Sequence, residues 1–173
     1  MSSGARAVRA AGEDNARLAQ ELWLLRHGDA EPHGARKDDE RRLTPKGEAQ
    51  ARAAGTALRA LGLGFTAVLS SPKARARATA ELADVGEVEL ERALRGGDYG
   101  RREAVATLGR FGADDRVLLV GHEPDFSQLV FDLAGGRVGM KKGGVAGVRL
   151  GHGAGELLVL LRPADLAAIA QGS

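Results

Sequence analysis

Three short apolar runs in this chain each end abruptly in side chains that can bind an anion. Residues 22–28 read Leu-Trp-Leu-Leu-Arg-His-Gly, and residues 117–122 read Val-Leu-Leu-Val-Gly-His. Between them, residues 67–79 run from Ala-Val-Leu-Ser into Ser-Pro and an Arg-rich helix start. Short apolar runs bounded by glycine or proline are typical of buried strands. The pattern predicts three strands whose carboxyl ends each deliver a His or an Arg.

The carboxyl ends of the strands in an open α/β sheet form a common ligand-binding crevice. We therefore expect Arg26, His27, Arg75 and His122 to lie in one site. A guanidinium group offers a planar fork that matches two phosphate oxygens, and it keeps its charge at every physiological pH. Two imidazoles and two guanidiniums form a site for a dianion, and phosphate is the leading candidate.

The order of predicted elements indicates the fold class. Strands and helices alternate through most of the chain, and Gly151 to Gly155 join two final strands as a hairpin. The sequence predicts a three-layer α/β/α sandwich with a mostly parallel sheet and an antiparallel edge strand. Residues 1–20 form a predicted N-terminal extension, partly disordered or helical, and residues 21–173 a single domain. Strands are predicted at 21–25, 67–70, 85–90, 116–120, 145–150 and 156–161, and helices at 45–61, 72–82, 102–110, 125–133 and 163–170.

Composition excludes several other classes of protein. A net charge of only +2 on 173 residues argues against a dedicated nucleic-acid binder. The chain has no Cys, which rules out disulfides and thiolate chemistry. No apolar stretch approaches the length of a transmembrane helix, and the first residues lack the apolar core of a secretory signal. We expect a cytoplasmic protein with no membrane or nucleic-acid partner.

Three motifs together resemble the histidine phosphatase superfamily, and within it the short phosphohistidine phosphatases of the SixA type. Arg26-His27-Gly28 is similar to the family's nucleophile motif, Ser71-Pro72-x-x-Arg75-Ala76-x-x-Thr79 to its second motif, and Gly121-His122 to its third. The likeness extends from about residue 21 to about residue 161. It implies a fold like that of phosphoglycerate mutase.

The resemblance also implies a role for each candidate site residue. His27 is the nucleophile that accepts the phosphoryl group, while Arg26, Arg75 and His122 bind the phosphate. Neutral imidazole is a competent nucleophile near pH 7, and neighbouring guanidiniums would oppose its protonation. We expect no metal or other cofactor, because Arg and His supply the positive charge. The start of a zinc-protease motif at His122 is not completed, since Phe126 occupies the second ligand position.

A general acid is the one catalytic part for which no motif matches. Asp98, in a Gly-rich loop, is the preferred candidate, and Glu91 lies near it. Asp29 and Glu31, in the loop after the nucleophile, are alternatives. Each of these carboxylates is also compatible with a solvated loop position. An imidazole leaving group departs comparatively easily, so the reaction need not use a dedicated acid.

The substrate class is predicted from the length of one loop. Residues 90–102 are too few to build a lid, so we expect an open, shallow crevice that admits a phosphorylated protein side chain such as phosphohistidine. The second candidate substrate is a small phosphorylated metabolite, for example a sugar phosphate. A phosphomutase ranks third, because an uncovered phosphoenzyme would be lost to water. A non-catalytic anion- or partner-binding module is the alternative from another functional class.

Four further cationic or titratable residues have no motif around them. Lys141 and Lys142 precede two glycines, the reverse of the order in a phosphate-binding P-loop. We interpret them as surface charges, with a minority reading that places one of them at the rim of the site. His33 and His152 are expected to be exposed.

Overall fold

Six strands and five α-helices make up the described part of the chain, residues 20–151 and 153–173 of a computed structural model. The strands are β1 (Gln20–Arg26), β2 (Ala67–Ser70), β3 (Val88–Leu90), β4 (Arg116–Gly121), β5 (Val145–Leu150) and β6 (Glu156–Leu161). The helices are α1 (Pro45–Ala60), α2 (Ala74–Ala83), α3 (Arg101–Leu108), α4 (Asp125–Ala134) and α5 (Pro163–Gln171). Short 3-10 helices span Asp38–Glu40 and Arg92–Arg95.

The strands form one sheet with the order β3-β2-β4-β1-β5-β6. Strands β3, β2, β4 and β1 pair in parallel, so their carboxyl ends meet at one edge of the sheet. Strand β5 runs antiparallel to β1 and forms the predicted hairpin with β6. The mixed sheet, with its antiparallel hairpin at one edge, confirms the predicted fold class.

The register of the parallel strands places their ends at one level. Arg26 at the end of β1 pairs with Gly121 at the end of β4, and Val120 pairs with Ser70 at the end of β2. The residues that follow, His27 and His122 among them, therefore leave the sheet side by side. The backbone hydrogen bonds of the sheet therefore bring these residues together without help from side-chain contacts.

Helices cover both faces of the sheet, as the buried strands require. Along β1, Leu22 and Leu24 point to one face, while Trp23 and Leu25 point to the other, and all four are buried. The first face packs against α3 and α4, and the second against α1, α2 and α5. Both faces of β1 are apolar, which explains why its sequence shows no alternation.

Two helix starts connect the sequence to the site. Thr44 caps α1 as predicted, since its hydroxyl accepts the backbone N–H of Gly47 at 3.1 Å. Helix α2 begins at Ala74, two residues later than predicted. The Ser71 hydroxyl accepts the backbone N–H of Lys73 at 3.2 Å and holds residues 71–73 in a turn. Arg75 is therefore the second residue of α2 and lies in its first turn, not one turn into the helix.

The predicted extension at residues 1–20 lies outside the described residues except for Gln20. Gln20 belongs to β1, where it pairs with Leu150, and its side-chain amide donates to the carbonyl oxygen of Gly112 at 2.8 Å. Within the described ranges, none of the helices has the length and apolar character needed to cross a membrane.

Candidate active site

A cavity of about 550 Å³ lies at the carboxyl ends of β1, β2 and β4. All four residues that the sequence singled out for phosphate chemistry line this cavity, namely Arg26, His27, Arg75 and His122. Six cationic side chains and three carboxylates contribute to its wall: Arg26, Arg41, Lys73, Arg75, Arg95 and Lys142 against Glu31, Asp38 and Glu123. The excess of positive charge suits an anionic ligand.

Hydrogen bonding fixes which nitrogen of His27 can react. Its Nδ1 lies 2.7 Å from the carbonyl oxygen of Gly28. A carbonyl oxygen can only accept a hydrogen bond, so Nδ1 carries the proton and Nε2 keeps its lone pair. On the Nε2 side, the Nε–H of Arg75 lies 3.4 Å away. The side chain is nearly buried, at 6 % exposure, and presents Nε2 to the cavity.

The environment of His27 keeps its imidazole neutral. Burial, opposed in part by the hydrogen bond to Gly28 and reinforced by the charges of Arg75, Arg26 and Lys142, lowers its pKa from 6.5 to about 4. A protonated ring would have no lone pair to attack phosphorus. The low pKa therefore keeps the ring in its nucleophilic form across the physiological pH range.

This shift gives a direct titration test. Because the folded-state pKa lies near 4, the ring proton signals of His27 are expected to stay constant from pH 8 to pH 5 and to move only below pH 5. The unfolded chain in urea should titrate at roughly 6.5. NMR titration checks this, with His27→Ala identifying the signals. A folded-state midpoint near the urea value would contradict the neutral-nucleophile assignment.

Arg75 is held in place by a residue that sequence reasoning missed. The guanidinium is buried, and its Nη1 donates to the carbonyl oxygen of Asp38 at 2.6 Å. Its Nη2 lies 3.3 Å from Asp38 Oδ2, an oxygen that also accepts from Lys73 Nζ at 2.7 Å. The hydrogen bond from Lys73, the charge of Arg75 and the hydrogen bond from Arg41 hold the pKa of Asp38 well below its usual range. Asp38 stays ionised and anchors three cations beside the cavity, Lys73, Arg75 and Arg41.

Arg26 enters the site from the last position of β1. Its Nη1 donates to the carbonyl oxygen of Met140 at 2.7 Å. Its Nε is buried and has no hydrogen-bond partner among the described residues. Buried donors are almost always paired in folded proteins. An unpaired guanidinium N–H at a cationic cavity indicates a position where an anionic ligand completes the hydrogen bonding.

His122 faces the nucleophile. Its ring centroid lies 5.2 Å from that of His27, and its Nε2 lies 2.8 Å from the Ser71 hydroxyl oxygen. Its Nδ1 is buried without a partner among the described residues. Burial, together with the charges of His27, Arg75 and Lys73, lowers its pKa to about 3. The ring is neutral at physiological pH, so one of its nitrogens can donate a hydrogen bond.

Thr79 and Gly28 show why the motifs need those residue types. The Thr79 hydroxyl accepts the backbone N–H of Gly28 at 3.1 Å and donates to the carbonyl oxygen of Arg75 at 2.7 Å. It thereby ties the nucleophile motif to the second motif. A Cβ on Gly28 would lie 2.5 Å from the carbonyl oxygen of Gly47. Close packing against the start of α1 therefore requires glycine at position 28.

The structure does not bring Asp98 into the cavity. Asp98 is exposed and lines a separate depression beside α4. Glu91 is also absent from the cavity wall, and its carboxylate accepts from the backbone N–H of Ala93 and from Arg110. Neither Asp98 nor Glu91 therefore lies in the cavity with His27, where a leaving group would need a proton.

The alternative candidates after the nucleophile are bound to cations. Asp29 accepts from Lys142 Nζ at 2.9 Å and from the Thr44 hydroxyl at 2.8 Å, and these bonds lower its pKa. Glu31 does line the cavity, but its pKa is lowered by the hydrogen bonds from Arg36 and from the backbone of Arg42. Both carboxylates remain ionised near neutral pH, which does not suit a proton donor.

Part of the cavity wall comes from the loop after β1. Residues 30–33 of this loop, with Asp38 and Arg41, line the cavity together with Arg95 and residues 96–97. The cavity therefore has a wall that was not expected when only the short 90–102 segment was considered. The loop has no hydrophobic periodicity, so nothing in its sequence indicates where it folds.

The remaining cationic candidates divide between the cavity and the surface. Lys142 lines the cavity and pairs with Asp29, as in the minority reading, whereas Lys141 is exposed. His33 is exposed as expected, with its side chain 86 % accessible at the cavity edge. His152 lies outside the described residues.

The described residues contain no candidate metal site. Across residues 20–151 and 153–173, no three His, Asp or Glu side chains are grouped so as to hold a metal ion.

Residues 22–110 match the family model of the histidine phosphatase superfamily, branch 1. The chain belongs to this superfamily. All three motifs that carried the resemblance thus lie in a histidine phosphatase, two of them within the matched range.

The chain is similar in sequence to one curated protein and in structure to several solved phosphatases and mutases. An uncharacterized protein of Picosynechococcus is 34% identical over 159 residues, which cover 83% of this chain and 96% of that protein. The protein histidine phosphatase SixA in complex with tungstate is 28% identical, with a TM-score of 0.74 over 84% of this chain and 99% of that one. Phosphoglycerate mutase from Bacillus anthracis is 16% identical, with a TM-score of 0.71 over 91% and 99% of the two chains, and shows the shared fold.

Proposed function

We propose that this histidine phosphatase removes the phosphoryl group from phosphohistidine in a protein substrate, through a covalent phosphohistidine at His27. Membership of the superfamily supports phosphatase activity. The likeness to SixA supports the substrate class. The observation that carries the proposal is that cations and hydrogen bonds keep two of the three cavity carboxylates, Asp38 and Glu31, ionised, so neither can give a proton to a poor leaving group.

Phosphoryl transfer to His27 begins with binding of the phosphate dianion. Arg26, Arg75 and His122 surround the space in front of His27 Nε2. The lone pair of Nε2 forms a bond to phosphorus while the bond from phosphorus to the leaving group breaks. Fixed cations at the equatorial oxygens stabilise the transition state, so that positioning and electrostatics provide most of the catalysis.

The Gly28 carbonyl activates the second step. When Nε2 of His27 is phosphorylated, Nδ1 retains its proton and its hydrogen bond to Gly28. The ring then carries a positive charge, which makes neutral imidazole a good leaving group. Water attacks phosphorus, the P–N bond breaks, its electron pair returns to Nε2, and inorganic phosphate leaves. No step in this sequence requires a metal ion.

The ionised carboxylates favour a P–N substrate over an ester. An alkoxide leaving group needs a proton in the transition state. Asp38 and Glu31 have lowered pKa values and stay ionised in the cavity wall. A phosphohistidine protonated on its free ring nitrogen departs as neutral imidazole and needs no such donor. The set of groups in this cavity therefore matches phosphohistidine better than a sugar phosphate.

Hydrolysis of a small phosphorylated metabolite remains the second candidate, and one feature favours it. The loop wall at residues 30–33 gives the cavity a volume of about 550 Å³, enough for a ligand larger than phosphate alone. In this case the wall would contact the rest of the small molecule. The same volume also accepts an imidazole ring that is attached to a protein surface.

A substrate panel separates the two candidates. In the presence of EDTA, kcat/KM is expected to be higher for a phosphohistidine peptide or domain than for sugar phosphates or phosphoglycerate, because Asp38 and Glu31 are held ionised and cannot protonate an alkoxide. Tungstate is expected to inhibit both reactions by occupying the phosphate site. A preference for a phosphate ester by about tenfold or more, which is about 1.4 kcal/mol of transition-state binding, would favour the metabolite phosphatase.

A further inference from the structure

The hydroxyl of Ser71 lies where it controls the chemistry of His122. Both side chains are buried, with Ser71 at 0% exposure, and the Ser71 oxygen lies 2.8 Å from His122 Nε2. Ser71 is the last residue before the turn that starts α2, whereas His122 follows β4. Their contact therefore joins the second and third motifs directly.

The other hydrogen bond of Ser71 decides which partner donates. A hydroxyl carries one proton and two lone pairs. One lone pair of the Ser71 oxygen accepts the backbone N–H of Lys73 at 3.2 Å. Among the described residues, the only acceptor within reach of the Ser71 proton is His122 Nε2. If Nε2 carried a proton instead, the buried hydroxyl proton of Ser71 would have no acceptor, which is costly in a protein interior.

We propose that Ser71 is a positioning residue that donates to His122 Nε2 and thereby fixes His122 as the Nδ1–H tautomer, aimed at the phosphoryl group. The inference rests on the proposed function, because it states which nitrogen of His122 donates a hydrogen bond to the substrate phosphate. The buried Nδ1, which has no partner among the described residues, then becomes a preformed donor for a phosphoryl oxygen. In the opposite tautomer, the Nδ1 lone pair would repel that oxygen.

Packing orients the His122 ring so that Nδ1 faces away from the loop that contains Gly96. A Cβ built on Gly96 would lie 3.4 Å from His122 Cδ2 and 3.6 Å from Cγ, so Gly96 lies close to that side of the ring. Nδ1 lies on the opposite side of Cγ from Cδ2. Neither the Ser71 contact at Nε2 nor the approach of Gly96 near Cδ2 therefore engages Nδ1.

Long-range ¹H–¹⁵N NMR spectra of the full-length protein at pH 7 test the tautomer directly. Wild-type His122 is expected to show a protonated Nδ1 and an unprotonated Nε2, with His122→Asn identifying its signals. Ser71→Ala is expected to lose this pattern, whereas Ser71→Thr, which keeps a hydroxyl on the same carbon, retains it. A wild-type ring protonated at Nε2, or an unchanged pattern in Ser71→Ala, would overturn the proposal. The wild-type spectrum alone tests the tautomer of His122, even if the Ser71→Ala variant does not fold.

Kinetics provide the second measurement. Ser71→Ala is expected to lower kcat for a phosphohistidine peptide by about 10- to 100-fold with little change in KM, the usual scale for a residue that orients a catalytic group. Ser70→Ala is the matched control, because Ser70 is equally buried but its hydroxyl, among the described residues, donates only to the Ser71 carbonyl oxygen. Equal losses of kcat in both variants would contradict the role of Ser71. Absence of turnover in the wild type would refute the proposed function and leave the tautomer measurement valid.

Discussion

Replacing His27 by alanine is expected to abolish both turnover and the covalent labelling of the protein by a phosphorylated substrate. The reason is chemical, because neither of the other imidazoles that line the described cavity can replace it: the Nε2 of His122 is engaged with Ser71, and His33 is exposed at the cavity edge. Rapid alkaline quenching with ³²P-labelled substrate measures the phosphoenzyme, whose P–N bond should be stable in base and labile on later treatment with acid. We expect kcat to fall to the background rate of the assay.

A matched variant separates loss of the nucleophile from collapse of the site. His122→Ala removes a donor but keeps His27 Nε2, so labelling of the protein should persist at a lower rate. Tungstate binding should be retained by His27→Ala, because Arg26 and Arg75 are unchanged. Turnover in His27→Ala, or a labelled phosphoenzyme in that variant, would exclude His27 as the nucleophile.

Arg75→Ala is expected to reduce kcat/KM by about 10²- to 10³-fold, the scale found when one preorganised donor to a transition state is removed. Arg75 is 4% exposed and donates towards His27 Nε2 from within the cavity wall. Its loss leaves the phosphoryl group without one cation and also releases Asp38. Steady-state kinetics on the preferred substrate measure the effect.

Arg77 is the control for this variant, since it lies two residues further on the same helix. Its side chain is exposed and pairs with Glu81 one turn later at 2.7 Å. An exposed pair of this kind contributes about 0.3–0.5 kcal/mol to stability and nothing to the site. Arg77→Ala should therefore keep kcat/KM near the wild-type value. Similar losses in both Arg variants would contradict the assignment of the second motif.

The parts of the structure that depend on local patterns could be predicted from the sequence. The apolar run before Arg26 predicted β1, and Thr44-Pro45 predicted the start of α1. The positions of β5 and β6 matched the predicted hairpin at every residue. These features depend on hydrophobic burial and capping between neighbouring residues, and both can be read from the chain.

The features that the sequence did not predict depend on contacts between distant segments. Asp38 contacts Arg75 across 37 positions, and the Ser71 contact to His122 spans 51. Asp98 was preferred as an acid because it lies in the Gly-rich loop after the third predicted strand, but it lines a separate depression and not the cavity. A polar loop without periodicity gives no indication of which of its carboxylates will meet a cation.

The pairing of Arg26 with Gly121 has a consequence for how such sites diverge in evolution. A one-residue deletion within β4 would displace His122 by about 3.3 Å along the strand and turn the following side chain to the other face. Insertions between the strands, in contrast, leave the level of the strand ends unchanged. Natural selection is therefore free to alter the spacing between the motifs, while the offset of each motif from its own strand is constrained. Relatives with little overall identity can keep this site intact if those three offsets are preserved.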